Sequence, residues 1–137
     1  MNPADNRQTP DARGDTLTAI SNGMVAVLKK AYGRGPTTTK TYYQDDVVLC
    51  VLRGGFTRVE RTLIEAGRSQ AVMQQRREFQ EAMRERFEEI VERATKRQVI
   101  GFVSGSQKDP DLMCEVFILA PDAPFDEGAV GTSAGNA

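Results

Sequence analysis

The longest uninterrupted apolar run in this chain is Val47–Leu52, and its length limits what the chain can build. A helix that crosses a membrane needs roughly 20 apolar residues, whereas about four to eight suffice for a strand buried on both faces. The run is a strand, and a central one, because a continuously apolar strand needs cover on both sides. Just before it, Thr37–Tyr43 is rich in β-branched and aromatic residues but also carries Thr and Lys, as an outer strand does. Gln44-Asp45-Asp46 between them is short enough for a hairpin turn.

The other segments arrange themselves around this hairpin. Leu17, Ile20, Met24, Val27 (or Leu28) and Ala31 recur at helical spacing behind a capping Asp15 or Thr16. Gly33 and the Gly35-Pro36 pair end that helix. After Gly54-Gly55, Thr57-Arg58-Val59-Glu60 has the spacing of a capping box and opens a short helix to about Ala66, closed by Gly67. A long helix is expected over Ser69–Thr95, with Val72, Phe79, Met83, Phe87, Ile90 and Ala94 on one stripe. Gln98–Ser104 and Leu112–Leu119 then form a second hairpin around Gln107–Pro110. The order α-β-β-α-α-β-β predicts an α+β fold, a four-stranded and mainly antiparallel sheet with helices packed on one face. Helix plus hairpin occurs twice, a weak pseudo-repeat. Residues 1–14 lack an apolar pattern and read as a disordered N-terminal arm, 15–120 as the folded domain, and 121–137 as a flexible acidic tail. The polar N-terminus has no apolar core of a secretory signal.

The chain contains no histidine, which removes Ser–His–Asp and Cys–His catalysis, histidine-bound zinc and histidine proton shuttling together. Its two cysteines, Cys50 and Cys114, sit inside apolar runs and read as buried thiols; a disulfide requires that their strands be neighbours. Net charge is −1, but Lys29–Arg77 carries ten basic and four acidic residues, whereas Glu78 onward carries six basic and twelve acidic. That asymmetry permits an anionic ligand on the first half, although solvated helix faces and loops explain it equally simply.

The sharpest local feature is Gly33-Arg34-Gly35-Pro36-Thr37-Thr38-Thr39-Lys40-Thr41. It fails as a phosphate-binding loop, because Thr39 stands where glycine should precede Lys40 and the segment leaves a helix for a strand. A helix stop accounts for Gly33, Gly35 and Pro36 but not for the flanking cations. Arg34 and Lys40, with Arg53 and Arg58, are therefore the candidate anion-binding residues. Asp45-Asp46 supplies too few ligands for a cation and reads as a solvated turn. Glu115 shares the face of Met113 and Phe117; a half-exposed outer face is the simpler reading, a buried functional carboxylate the alternative. Nothing near Cys50 in sequence would activate it as a nucleophile. Tyr42 and Tyr43 beside Lys40 offer stacking surfaces for bases, but without a recognition-strand motif.

Several segments taken together resemble one bacterial family. They are Ile20-Ser21-Asn22, Gly33-Arg34-Gly35-Pro36 with Lys40, Asp45-Asp46-Val47-Val48, Leu52–Leu63, Gly67-Arg68 and Thr95-Lys96-Arg97-Gln98-Val99. In order and spacing they are similar to the MpsC-like domain, a bacterial domain of unknown function named for a sodium-translocating, membrane-potential-generating system. The likeness covers about Asp15–Ala120 and departs at Gly55-Phe56, where a larger apolar residue followed by leucine is expected. It implies a cytoplasmic accessory or regulatory protein, peripheral to the membrane, whose partners are subunits of a cation or bicarbonate transport complex. It implies no catalytic residue, metal or cofactor. The expectation is thus a non-enzymatic domain that docks through its helical face on such a complex or on itself. The long helix, with stray apolar Met73 and Ala82, would serve a homodimer. The alternative is a small-anion or nucleotide sensor, and nucleic-acid binding by the basic half is the weakest of the readings.

Overall fold

The computed structural model describes residues 10–121. In chain order they form α1 (Pro10–Tyr32), β1 (Thr38–Gln44), β2 (Val47–Arg53), α2 (Arg58–Glu65), α3 (Ser69–Ala82), α4 (Arg84–Thr95), β3 (Val99–Gln107) and β4 (Leu112–Leu119). The sheet is antiparallel throughout, in the order β1-β2-β4-β3, which gives the α+β class expected. The apolar run lies in β2, an inner strand, and the Thr/Lys-rich strand β1 is an edge. Residues 1–9 of the expected arm and 122–137 of the expected tail lie outside the described residues.

Two helix boundaries differ from expectation. The first helix begins at Pro10, not at Asp15, so residues 10–14 of the expected arm are helical. Proline at a helix start loses no hydrogen bond. Arg13 holds this extra turn against the sheet, donating to the Tyr43 carbonyl with its guanidinium 5.5 Å from the Tyr43 ring centre. Neither signal lies in an apolar stripe. The expected single helix Ser69–Thr95 is two, broken at Met83 (φ −93°, ψ 1°). No glycine or proline causes the break. α3 packs against α2 and β3, α4 against α1 and β3, and one straight rod does not follow both. β3 also continues to Gln107, three residues beyond the expected Ser104.

The core lies between the sheet and the helices. Ile20, Met24 and Leu28 of α1 meet Val48, Cys50 and Leu52 of β2, Met113, Phe117 and Leu119 of β4, and Phe87 and Val91 of α4. Tyr32, Phe79, Phe87, Phe102 and Phe117 run through it as a chain of tilted or edge-on ring contacts, with centroids 4.8 to 6.4 Å apart. α1 approaches α4 closely at Gly23, where a Cβ would lie 2.7 Å from Ile90 Cγ2.

The link from β2 to α2 is fixed at Gly54 (φ +71°), where a side chain would collide with Thr37. Thr57 Oγ1 accepts from the Glu60 amide at 3.1 Å and Glu60 Oε1 accepts from the Thr57 amide at 2.9 Å. That is the capping box the sequence spacing predicts.

Candidate functional site

The buried side of the molecule holds a polar cluster, and most of it was not visible in the sequence pattern. On α3 the residues facing the sheet are Val72, Arg76 and Gln80, one every fourth position, so two polar residues stand where the apolar stripe was expected. Arg76 is 1 % exposed. Its guanidinium donates to both oxygens of Glu60, Nε to Oε2 at 3.2 Å and Nη2 to Oε1 at 3.1 Å. Asp111 Oδ1 lies 3.8 Å from Nη1, and the Phe56 ring centre lies 4.2 Å from the guanidinium carbon. Glu60 therefore caps α2 and neutralises α3's buried arginine with one carboxylate. Asp111 Oδ2 in turn accepts from the Phe56 amide at 2.8 Å.

Glu115 is fully buried, which corrects the outer-face reading. The period-two reasoning was right that it shares the face of Met113 and Phe117, but that face is the one the helices cover. Gln80 Nε2 donates to its Oε2 at 3.1 Å, and Oε1 has no partner. Burial pushes the Glu115 carboxyl up to about 7, slightly opposed by Ser104 and Gln80. Ser104 stands across from it on β3 but outside hydrogen-bonding geometry. Cys50, the β2 residue opposite Glu115, is also buried. Desolvation drives its thiol up to about 12, against a Thr41 hydrogen bond that lowers it and with a smaller upward push from Glu115. Such a thiol is the reverse of an activated nucleophile. Burial likewise raises the Tyr32 phenol, with Glu60 adding to the effect.

A small cavity of about 10 Å³ touches this cluster, lined among others by Tyr32, Arg34, Pro36, Gly55 and Arg76. It accommodates about one water molecule.

The four expected anion-binding residues do not converge. Arg34 lines the small cavity on the helix side of the sheet. Lys40 and Arg53 point to the opposite side, because β1 and β2 bury the alternate residues Thr41, Val48, Cys50 and Leu52. In register, Lys40 pairs with Val51 and Thr38 with Arg53, so Lys40 and Arg53 are diagonal neighbours. Arg58 is exposed at the first position of α2. Asp46 of the β1–β2 turn is ion-paired with Arg97, which also donates to the Asp45 and Ala120 carbonyls. The two cysteines occupy adjacent strands one register position apart, Cys50 opposite Glu115 and Cys114 opposite Val51, so they point to opposite faces and stay free.

Among the described residues, no helix covers the sheet's second face. It presents Tyr42 from β1, Val47, Leu49 and Val51 from β2, Leu112, Cys114, Val116 and Ile118 from β4, and Val103 from β3. Tyr42 is 51 % exposed and Val103 66 %. The ionic groups on this face are Lys40 and Arg53, both at one corner, and no strand residue on it is acidic. Lys40 Nζ rests 5.8 Å from the Tyr42 ring centre. The helices cover the core with one face of the sheet, and the apolar surface left over is on the sheet's other face.

The family model described as the Na+-translocating membrane potential-generating system (MpsC) matches residues 12–121. The chain belongs to the MpsC family. No curated protein and no solved structure matches it at a significant level. Among the described residues, no helix is long and apolar enough to cross a membrane.

Proposed function

We propose that this MpsC-family chain is a non-catalytic accessory or regulatory domain of a membrane cation or bicarbonate transport system, working at the cytoplasmic side by contact rather than by chemistry. The family description supplies the link to a membrane-potential-generating system. The observation that carries the rest is the state of the ionisable core. Arg76 is closed on Glu60, Cys50 is buried with its thiol driven to about 12, and Glu115 is sealed under Gln80. Burial of this kind supports a role for these groups in shaping the fold rather than in a reaction. Affinity purification from the native host is the test. Recovery of membrane transport subunits with the chain is expected, and their consistent absence overturns the reading.

One observation favours a second reading, a sensor of small anions such as phosphate or bicarbonate. Lys40 and Arg53 are close on a face without a carboxylate, whereas Arg34 and Arg58 stand elsewhere. A thermal-shift screen against phosphate, bicarbonate and nucleotides decides it. A rise in midpoint that disappears in Arg53→Ala supports the sensor, and no rise with any of them rejects it.

A further inference from the structure

We propose that the helix-free face of the sheet is where two copies of this chain pack against each other, about a two-fold axis that lies between the sheets and runs along the strands. The inference is independent of the accessory role, since it concerns the purified chain alone.

The shape of the face carries it. In three rows the β1 residues on this side are long, Lys40, Tyr42 and Gln44, and the positions in those rows on β3, the opposite edge, are Gly105, Val103 and Gly101. Over these rows one edge stands high and the other low; the fourth row, with Thr38 on β1 and Gln107 on β3, reverses the contrast. A Cβ at Gly105 would meet nothing within 4 Å, whereas one at Gly101 would lie 3.3 Å from Ile118 Cβ, so the low edge is open at Gly105. Rotation about an axis along the strands lays β1 of one copy over β3 of the other. Lys40 then faces Gly105 of the second copy, Tyr42 faces Val103, and Gln44 faces Gly101. The long Lys40 side chain enters the open place at Gly105, and Tyr42 lies against the exposed Val103.

Charge fits the same arrangement. With Lys40 and Arg53 at one corner and no acidic strand residue on this face, an arrangement laying those corners on each other would be repelled. The proposed axis avoids this: Lys40 meets a glycine and Arg53 meets Leu112 of the second copy. The axis passes between β2 and β4, where Leu49, Val51, Cys114 and Val116 form an uncharged centre. Two stacked sheets prefer strand directions within about 30°, which a strand-parallel axis provides.

The area is adequate. Four strands about 4.8 Å apart, each seven to nine residues long at about 3.3 Å per residue, make a face of about 20 by 25 Å. Two such faces bury on the order of 1,000 Å² in total, at the lower end of specific interfaces, so a reversible dimer is expected.

Sedimentation equilibrium of the purified chain over a wide concentration range tests the proposal. The wild type should show a reversible monomer–dimer equilibrium. Gly105→Lys, which sets a cation against Lys40 of the second copy, should weaken the dimer at least tenfold. Adding Lys40→Glu to Gly105→Lys should restore most of that loss, a reciprocity only this pairing of edges gives. Val116→Glu, beside the axis, should yield monomer, with circular dichroism and thermal unfolding verifying that each variant is folded. Cys114 offers a second readout that needs no variant. In the dimer the two Cys114 Cα atoms should lie about 11 Å apart, from sheet and strand spacings. At that packed centre Cys114 should be shielded in the dimer, so its reaction with a thiol reagent should slow as the protein concentration rises. A chain that stays monomeric at every concentration overturns the proposal and leaves the face to a different protein. A dimer indifferent to Gly105→Lys and Val116→Glu overturns it as well.

Discussion

Glu115 is the residue whose environment departs furthest from what its type prefers. It lies among core side chains with a single hydrogen bond, from Gln80, and burial raises its carboxyl from 4.5 to about 7. Below about pH 4.5 it is protonated in both the folded and unfolded chain. Between about 4.5 and 7 the unfolded chain releases this proton while the folded one retains it, so stability falls as pH rises through that window and then levels. The fall attributable to this group is about 3 kcal/mol at most. Urea unfolding from pH 4.5 to 8 should show it, and Glu115→Gln should flatten the profile; a wild-type profile already flat there would mean that the folded chain carries Glu115 ionised. The cysteines provide a second check at this scale. Cys114 is half-exposed on the open sheet face and Cys50 is sealed in the core. At concentrations low enough to keep the chain monomeric, one thiol should react with a chromogenic disulfide reagent in the native protein, and the second only after denaturation. Sequence placed both thiols in apolar runs and Glu115 on the correct face of β4. Which face the helices cover is not written in an alternating pattern, and that choice buried Glu115 and half-exposed Cys114.

Among the elements, α2 and α3 are joined by a buried ion pair. The Glu60 carboxylate completes the capping box of α2 and binds Arg76 of α3, both residues almost wholly buried. Loss of one partner leaves the other charge without compensation in the core. Arg76→Met should cost about 3–5 kcal/mol in urea unfolding. Combining it with Glu60→Gln should recover part of that loss, because the amide leaves no orphaned charge; a double variant as unstable as the sum of the two singles would show that the pair is not coupled. The capping box was legible because its spacing is local, four residues from Thr57 to Glu60. The Arg76 pairing spans 16 residues and could not be read from spacing. A signal existed: Val72, Arg76 and Gln80 recur every fourth residue on α3, which places Arg76 and Gln80 on the face of a core residue. The Met83 break left no comparable trace, since neither glycine nor proline marks it and the docking of α3 and α4 on different neighbours produces it.

In the molecule as a whole, the aromatic chain from Tyr32 to Phe117 ties α1, α3, α4, β3 and β4 into one core. Phe87 is its middle link and is fully buried. Phe87→Ala should lower stability by about 3–5 kcal/mol, and thermal unfolding followed by circular dichroism and by tyrosine fluorescence should still give coincident transitions. Separate transitions would mean that the two helix-hairpin halves fold independently, as a true repeat would. Local chemistry determined a good deal of this protein without reference to its fold. The hairpin turn at Asp45-Asp46, the helix stop at Gly33, the capping box at Thr57 and the central strand at Val47–Leu52 all follow from interactions within a few residues. The α+β class followed from their order. What the tertiary structure alone decided is which side of the sheet the helices occupy. Helices on one side bury Glu115, Cys50 and Arg76, and the same choice leaves Tyr42, Val116 and Val103 on an apolar face with Lys40 and Arg53 at its corner. A strand offers two faces with equal regularity, and only the packing of distant segments distinguishes the face that becomes core from the face left exposed.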